Sequence, residues 1–182
     1  NIIWKIIGKI YFDYFMEGQP SRVSHWFDCG AFSLGSNYKS CLEIKSPIEV
    51  NNLEACNYSV RRKLLEKVGW FDPIFSGVGE YHEPDAAFKI KKLGYKLIFN
   101  PKAIVYHCPV QTGVYKARPR SFSRAQNFVN FYFRHIKPNT VNKFARFCLY
   151  LLFLNGYWFY KFLTTGQWRE LGAIPGTVHA IL

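Results

Sequence analysis

The stretch Asn52–Cys108 places the strongest constraint on the fold, because helical and extended patterns follow one another within it. Apolar residues recur at helical spacing over 60–68 and again over 84–93. Two short apolar segments come next, 95–99 and 103–106, and their length and composition favour strands. The order helix, loop, helix, strand, strand belongs to an α/β domain. The chain therefore predicts an α/β fold, of which this stretch is an incomplete part.

The ends of both helices are marked by residues with clear local preferences. Ser59 carries a side-chain acceptor suited to capping the first helix, and Gly69 tolerates the positive φ at which a helix commonly ends. Pro84 fits the first position of the second helix, where its missing N–H is not needed, and Gly94 ends that helix. These signals support the helices that the apolar spacing predicts.

A cluster of acidic side chains lies at the start of the second helix. The sequence His82-Glu83-Pro84-Asp85 stands between a glycine-containing loop and the helix, and His107 follows the second predicted strand. A carboxylate at such a junction can act as a general base, and carboxylates with a histidine can bind a divalent cation. The cluster is therefore a candidate catalytic site. The alternative is that Glu83 and Asp85 only supply the negative charge that favours a helix N-terminus.

The positive charge of the chain is concentrated in its C-terminal part. Residues 1–109 carry 14 basic and 11 acidic residues, whereas residues 110–182 carry 10 basic residues and a single acidic one, Glu170. Such asymmetry indicates contact with an anionic surface, either a membrane or a nucleic acid. A solvated basic face is the alternative interpretation.

The composition also changes along the chain, which predicts a domain boundary. A basic connector at 111–121 separates residues 1–115, the α/β portion, from residues 116–182, an aromatic-rich helical tail. The apolar stretch 147–163 is at the short limit for a membrane span and has basic flanks. It suits a helix lying in the membrane interface as well as one crossing the membrane. A buried helix of a soluble domain is the third possibility.

The cysteine pattern and the identity of the first residue bear on where in the cell the protein is located. The five cysteines are odd in number and show no Cys-x-x-Cys spacing, which favours reduced thiols in the cytosol over disulfides or a zinc site. The chain begins with Asn rather than Met, and we expect it to be a piece of a longer protein. Together with the basic tail, these features predict a location at the cytoplasmic face of the cell membrane.

Several short motifs stand in a characteristic order along the stretch 52–108. They are Ala55-Cys56-Asn57, Arg61-Arg62, Val68-Gly69-Trp70-Phe71-Asp72, the acidic cluster, Gly94-Tyr95, Pro101 and His107. In this order they resemble the C-terminal half of the catalytic domain of family 2 glycosyltransferases. The resemblance covers about a third of the chain. It implies part of a GT-A domain, a mixed sheet with flanking helices, to which the helical and membrane-associated tail is attached.

The resemblance implies inverting transfer of a sugar from a nucleotide-sugar to an acceptor hydroxyl, in the synthesis of a cell-surface polysaccharide or glycolipid. Alignment backwards from Gly94 puts Glu83 at the position of the general base, and Asp85 is the second candidate. His82 stands where the family often has another acidic residue. The base would take the proton of the acceptor hydroxyl as the bond to the anomeric carbon forms.

The resemblance also implies the remaining parts of the site. The residues expected to bind the acceptor, a glycan or a lipid-linked saccharide, are Asn57, Arg61, Trp70, Tyr81 and His82. His107 resembles a late histidine that helps to bind Mg²⁺ or Mn²⁺ in some GT-A enzymes, and such a cation would neutralise the departing diphosphate. A structural role is the alternative for His107.

The chain departs from the family pattern in a respect that bears on activity. It contains no Asp-x-Asp sequence, the metal-binding motif of the nucleotide-binding N-terminal half of such enzymes. The resemblance thus implies the acceptor side of an active site without its donor side. We expect this chain alone to lack transferase activity.

Two other functions are compatible with the sequence. A basic tail with aromatic residues can form a nucleic-acid-binding module. However, these aromatics lie within a long apolar run rather than on a polar stacking surface, so no nucleic-acid partner is expected. The second alternative is a non-catalytic, membrane-associated scaffold related to the transferases.

Overall fold

The computed structural model describes residues 2–19, 21–33, 39–54, 57–77, 80–106, 108 and 121–182. The chain is mostly helical, at 57%, and the described residues form a single two-stranded antiparallel sheet. The helices are α1 (Ile2–Ile10), α2 (Lys39–Leu42), α3 (Arg62–Val68), α4 (His82–Lys92), α5 (Ser121–Phe131), α6 (Val141–Thr165) and α7 (Ala173–Ile181). The strands are β1 (Ile48–Val50) and β2 (Leu97–Phe99). Shorter π-helical and 3₁₀ segments are Tyr11–Phe15 after α1, Tyr132–Ile136 after α5 and Trp168–Gly172 before α7.

The expected α/β fold, a partial GT-A domain with a mixed sheet, is wrong. Over the described part of the chain, β1 pairs only with β2, with Ile48 opposite Phe99. The predicted strand at 103–106 does not form, and its residues are exposed. An apolar run becomes a strand only where a neighbour pairs its backbone and a core covers one of its faces. The run at 103–106 has neither, which its local composition could not reveal.

Helix α3 occupies the region that its apolar spacing predicts, but its N-terminus differs. It begins at Arg62 after Arg61, and no side-chain cap is present, so Ser59 does not cap it. Its C-terminus is the one expected, because Gly69 follows the helix with a φ of 80°. A residue with a Cβ would be strained in that left-handed conformation.

Helix α4 begins two residues earlier than predicted. Its first residue is His82, and Pro84 lies inside the first turn. Proline is tolerated there because the first N–H groups of a helix have no intrahelical partner. The preceding residue, Tyr81, has a φ of 82°, an uncommon conformation for a residue other than glycine.

The main core joins residues from both sides of the predicted boundary at 115/116. Its buried members are Phe15, Met16, Phe27, Cys29, Ala31, Phe128, Val129, Tyr132, Phe147, Tyr150 and Leu151. The rings of Tyr132 and Phe147 stack with their centroids 3.6 Å apart. The aromatic residues of α5 and α6 therefore pack onto the N-terminal part of the chain.

Helix α6 contains the apolar stretch 147–163. Its inner side carries the buried residues Phe147, Tyr150, Leu151 and Trp158. Across the described ranges, we find no helix with the length and apolar character that a membrane crossing requires. Of the described cysteines, Cys29, Cys108 and Cys148 are free thiols.

A second, smaller core fixes α4 against the sheet. Ala87 and Ile90 of α4 are buried beside Val50 of β1 and Leu97 of β2. The opposite side of α4 reaches the aromatic core, since the ring of Phe88 lies 5.3 Å from that of Phe131 between centroids. The helix is therefore held from two sides.

Helix α7 approaches α5 closely because Gly176 has no side chain. A Cβ at that position would collide with the carbonyl oxygen of Phe122. The Ser121 hydroxyl also donates a hydrogen bond to the carbonyl oxygen of Arg169, which ties the start of α5 to the segment before α7. These contacts hold α7 against α5, and residues of α5, α6 and α7 line one cavity.

Folding pairs the basic C-terminal part with acidic residues of the N-terminal part. The ion pairs between the two parts are Arg146–Glu17, Lys143–Asp28, Arg124–Glu80, Arg134–Asp72 and Arg134–Asp85. The sequence predicts an external anionic surface as the partner of this charge. These internal ion pairs already neutralise part of the positive charge of the C-terminal part.

Candidate functional site

The first turn of α4 carries the two candidate bases, and the protein uses them differently. Glu83 is partly buried and borders a cavity of about 550 Å³. Asp85 has no exposed surface and is not among the residues that line that cavity. A cavity of this size is within the usual range for small-molecule sites. Of the two carboxylates, Glu83 is thus the one that can meet a ligand there.

Aromatic rings from separate parts of the chain form much of the cavity wall. The rings belong to Tyr11, Trp26, Phe32, Tyr81, Phe128, Tyr150, Tyr157 and Trp158. The lining residues come from helices α5, α6 and α7, from residues 26–32 and 52–54, and from the start of α4. Flat apolar rings with a few polar groups between them are typical of sites that bind small organic molecules.

The charged groups at the cavity are mainly acidic. Glu54, Glu80 and Glu83 line it, together with Arg124. The Arg124 guanidinium donates to Glu80 at 2.6 Å and also lies 6.0 Å from the centre of the Trp158 ring. Because this arginine is already engaged by a carboxylate, the cavity favours neutral over anionic ligands.

Asp85 is held by three side chains from two helical segments. Its Oδ1 lies 2.7 Å from Nε2 of His135 and 3.3 Å from Nη1 of Arg134, and its Oδ2 lies 2.6 Å from Nζ of Lys89. Arg134 also binds Asp72 at 2.7 Å. The network joins α4 to the π-helical segment Tyr132–Ile136. Asp85 therefore anchors the helix that carries Glu83.

The protonation states in this network follow from burial and hydrogen bonding. Burial alone would raise the pKa of Asp85, but hydrogen bonds from His135 and Lys89 outweigh it and lower that pKa to about 2. Burial lowers the pKa of His135 by more than the nearby Asp85 raises it. A neutral His135 therefore donates from Nε2 to the ionised Asp85.

Two tyrosines are associated with the Glu83 side of the turn. Tyr81 lines the cavity, and burial raises the pKa of its phenol, so the group stays protonated. Burial, and then the negative charge of Glu83, raise the pKa of Tyr58. Both phenols can act as hydrogen-bond donors at neutral pH.

The residues expected to bind an acceptor do not converge on one place. Tyr81 lines the cavity, but Asn57 is exposed and donates to the Ala103 carbonyl at 2.8 Å. Arg61 precedes α3 on the surface, and Trp70 is 44% exposed beside the same helix. These three residues are not among those that line the cavity.

His82 lies in an aromatic setting outside the cavity lining. Its ring is 5.7 Å from that of Phe71 and 6.1 Å from that of Phe75 between centroids. Its Nε2 is buried and finds no hydrogen-bond partner among the described residues. His82 is next to Glu83 in the sequence but does not line the same cavity.

The predicted metal ligand cannot be placed. His107 lies outside the described residues. Within the described ranges, no group of three or more His, Cys, Asp or Glu side chains is arranged to hold a metal ion. The described side chains therefore do not by themselves form a centre for Mg²⁺ or Mn²⁺.

Sequence reasoning missed several residues of the cavity wall. Trp26, Asn52, Glu80 and Trp158 all line it, yet they come from four separate segments. No local motif marks any of them, because only the packing of α5 and α6 onto the N-terminal part brings them together. The weak signal was the high aromatic content itself.

Comparison of the chain with protein-family models, curated proteins and solved structures gives no match. The resemblance to family 2 glycosyltransferases therefore stays a prediction, based on the motifs between Asn52 and Cys108.

Proposed function

We propose that this chain is the acceptor-binding part of an inverting family 2 glycosyltransferase. The enzyme would transfer a sugar from a nucleotide-sugar to a glycan or lipid-linked acceptor, in polysaccharide or glycolipid synthesis. The ordered motifs of 52–108 and the cavity beside α4 support this proposal. It does not include the GT-A sheet, which the described residues lack.

The observation that carries the proposal is the separation of the two carboxylates. Glu83 borders an aromatic-walled cavity, whereas Asp85 is fully buried in ion pairs. A general base must reach the proton that it abstracts, so access to a ligand is the first requirement. Glu83 meets this requirement and Asp85 does not.

In the proposed reaction, Glu83 accepts the proton of the acceptor hydroxyl. The hydroxyl oxygen forms a bond to the anomeric carbon of the donor sugar, while the bond from that carbon to the diphosphate breaks. The electron pair of the broken bond leaves with the nucleoside diphosphate. Attack opposite the leaving group inverts the configuration.

The proposal divides the remaining work between this chain and the rest of the enzyme. The nucleotide-sugar would bind mainly to a donor-side domain, so this chain alone is not expected to transfer sugar. A divalent cation, Mg²⁺ or Mn²⁺, would neutralise the leaving diphosphate. His107 is the one ligand proposed from this chain, and the others would come from the donor side.

An exposed stripe on α6 supports association with a membrane surface, which we propose to be the cytoplasmic face. The stripe consists of Val141, Ala145, Leu149, Leu152, Gly156, Phe159 and Leu163, all exposed and none charged. At 1.5 Å per residue it runs for about 33 Å along the helix. Trp168, 77% exposed, follows at its C-terminal end, and tryptophan is enriched at membrane interfaces.

The membrane contact is proposed to be mainly apolar. The stripe carries no basic residue. The basic residues elsewhere on α6 are paired with carboxylates: Lys143 with Asp28, Arg146 with Glu17 and Lys161 with Glu170. Flotation with zwitterionic vesicles is therefore expected to persist at about 0.5 M salt, where exposed charges are screened.

Replacing Leu152 and Phe159 by Gln should abolish flotation, while Ile98→Gln, on exposed β2, should not. A protein that stays unbound, or that floats only with anionic lipid at low salt, would contradict this part of the proposal.

The catalytic part is tested with Glu83→Gln in the full-length enzyme. Transfer of labelled sugar from a nucleotide-sugar to endogenous acceptor should fall by about 10²- to 10⁴-fold, the usual contribution of general base catalysis. The melting temperature should not change much, because Glu83 forms none of the observed ion pairs.

Glu66→Gln is the matched control. Glu66 is an exposed carboxylate on α3 that pairs with Arg62, four residues earlier on the same helix. Its variant should transfer sugar at the normal rate. Normal transfer by Glu83→Gln would show that Glu83 is not the base and would favour the scaffold alternative.

A further inference from the structure

The wall of the cavity beside α4 carries more negative than positive charge. Glu54, Glu80 and Glu83 line it, and Arg124 is the one basic residue among the described residues that do so. All four side chains are only partly buried, so a molecule in the cavity can reach them. The carboxylates exceed the guanidinium by two negative charges. Such an excess favours a cation over a neutral molecule and disfavours an anion.

The wall already holds one cation of its own, the guanidinium of Arg124. It donates to Glu80 at 2.6 Å, and its central carbon lies 6.0 Å from the centre of the Trp158 ring. The ammonium nitrogen of Lys161 lies 5.0 Å from the centre of the same ring. At this wall, a carboxylate and an aromatic ring together thus serve as the partners of a cation.

The same two kinds of group occur together at the start of α4. Tyr81 lies two residues before Glu83, and its ring centroid is 5.8 Å from that of Trp26. Both rings are partly exposed and line the cavity. Asn51 accepts a hydrogen bond from the backbone N–H of Trp26 at 2.9 Å and donates to its carbonyl oxygen at 3.3 Å, three residues before Glu54. The two rings therefore belong to the part of the wall that carries Glu54 and Glu83.

The indole ring of Trp26 is fixed before any ligand arrives. Its centroid lies 4.6 Å from that of Phe32 and 4.8 Å from that of Phe131. A ring held in this way loses little conformational freedom when a ligand packs on it. Tryptophan is also the aromatic side chain that attracts cations most strongly.

An organic cation fits this wall better than a metal ion. Metal ions such as Ca²⁺ and Mg²⁺ need several closely grouped oxygen ligands, and the described ranges contain no such group. Aromatic rings are poor partners for these ions but good partners for alkylated ammonium groups, whose positive charge is spread over the attached carbons.

We propose that the cavity binds an organic cation, an ammonium group that carries alkyl substituents. Its charge faces the carboxylates of Glu54 and Glu83, and its alkyl groups pack against the rings of Trp26 and Tyr81. An ammonium group beside Glu83 also keeps this carboxylate ionised, the form that accepts a proton. That the cation is part of the acceptor rests on the proposed function, whereas binding of the cation requires no transfer.

The probes are choline and its neutral carbon analogue 3,3-dimethylbutan-1-ol, which have the same shape and differ in charge. Each is titrated at millimolar concentration into the 182-residue chain, and saturation-transfer NMR follows its equivalent methyl protons. Choline should bind about tenfold more tightly than the alcohol or better. The net charge of +12 repels cations from the molecule as a whole, so a preference for choline reports a local site.

Two positions test the assigned groups. Glu83→Gln should reduce the preference for choline by about three- to tenfold and leave the affinity for the alcohol unchanged. Glu66→Gln, on the exposed surface of α3, is the matched control and should keep the full preference. Trp26→Leu should reduce the preference by about threefold, whereas Trp26→Phe, which keeps an aromatic face, should retain more of it. Melting temperatures show whether the Trp26 variants fold, and the Glu83 comparison does not depend on them.

The outcomes separate this cation site from the proposed function. A preference for choline that Glu83→Gln reduces supports the site, even if the full-length enzyme transfers no sugar. Equal binding of the two probes, tighter binding of the alcohol, or no binding of choline overturns the site. A preference that Glu83→Gln and Glu66→Gln leave equally intact also overturns it. Sugar transfer that depends on Glu83, in a protein that does not bind choline, leaves the proposed function standing without the cation site.

Discussion

The two sides of the first turn of α4 treat polar side chains in opposite ways. On one side, Asp85 lies within 3.3 Å of His135, Arg134 and Lys89. On the other side, Glu83 borders a cavity where polar atoms of Asn52 and Trp26 have no partner among the described residues. The same helical turn therefore meets a buried ion-pair network on one side and a cavity open to a ligand on the other.

The contrast separates structural carboxylates from functional ones. Both Glu83 and Asp85 suit a helix N-terminus, where the macrodipole stabilises negative charge. Only their surroundings distinguish them. A buried carboxylate with several partners stabilises the fold, whereas a carboxylate beside unpaired polar atoms and aromatic rings is available for chemistry.

The largest expected effect on stability comes from removing the Asp85 carboxylate from its ion-pair network. Asp85→Ala would leave the side chains of Lys89, Arg134 and His135 without their shared partner, and should lower the free energy of unfolding by about 3 kcal/mol. Urea unfolding followed by circular dichroism measures the change. Asp13→Ala, which breaks the exposed pair with Lys9, is the control and should cost less than about 1 kcal/mol. Equal effects of the two variants would show that the Asp85 network does not stabilise the fold.

The pH dependence of stability should carry the signature of Asp85. Its folded-state pKa of about 2 lies below the ordinary value of 3.8, so its contribution is present above about pH 4 and lost as the pH falls towards 2. The lost stability amounts to about 2 kcal/mol. Urea unfolding of the unmodified protein and of Asp85→Asn, between pH 6 and pH 2, should show a loss that is larger by this amount in the former, because Asp72, whose pKa is also lowered, remains in both. Parallel curves would contradict the assignment.

The neighbouring asparagines sharpen the comparison at smaller magnitude. Asn51→Leu removes two hydrogen bonds to the backbone of Trp26, and should lower the free energy of unfolding by about 1–2 kcal/mol. Asn52→Leu should leave it unchanged or raise it. Thermal unfolding of the two variants side by side decides the matter. A loss of stability in Asn52→Leu equal to that in Asn51→Leu would mean that Asn52 is structural.

The smallest effect is expected on the exposed surface of α3. Arg62→Ala breaks the ion pair with Glu66, whose nitrogen–oxygen distance is 2.9 Å. Pairs of this kind, four residues apart on a helix, contribute about 0.3–0.5 kcal/mol. Urea unfolding should show no larger change. A greater loss would mean that the second contact of Arg62, with the Trp70 ring 5.9 Å from its guanidinium carbon, also stabilises α3.

Local features could be predicted from the sequence more easily than features that depend on distant residues. Apolar spacing and the terminal glycines predict α3 and α4, because both signals act within a few residues. The prediction of a larger sheet is wrong, because strand formation at 103–106 depends on a neighbour that the local composition cannot show.

The candidate site likewise has a part that local sequence predicts and a part that depends on distant residues. The position of Glu83 in a short ordered motif predicts its role. Asp85 is excluded as the base by its partners His135 and Arg134. These two residues lie about fifty residues further along the chain. Trp26 and Asn52 come from separate loops that meet only in the folded protein. Such long-range contacts leave no local pattern in a single sequence.

The most direct test compares Glu83→Gln with Asp85→Asn in the full-length enzyme, with transfer rates divided by the folded fraction of each variant. The account predicts that Glu83→Gln keeps its melting temperature and loses about 10²-fold or more in kcat. Asp85→Asn should lose stability but keep kcat within about tenfold, because it only anchors the helix. The reverse result, with kcat lost in Asp85→Asn and retained in Glu83→Gln, would contradict the account.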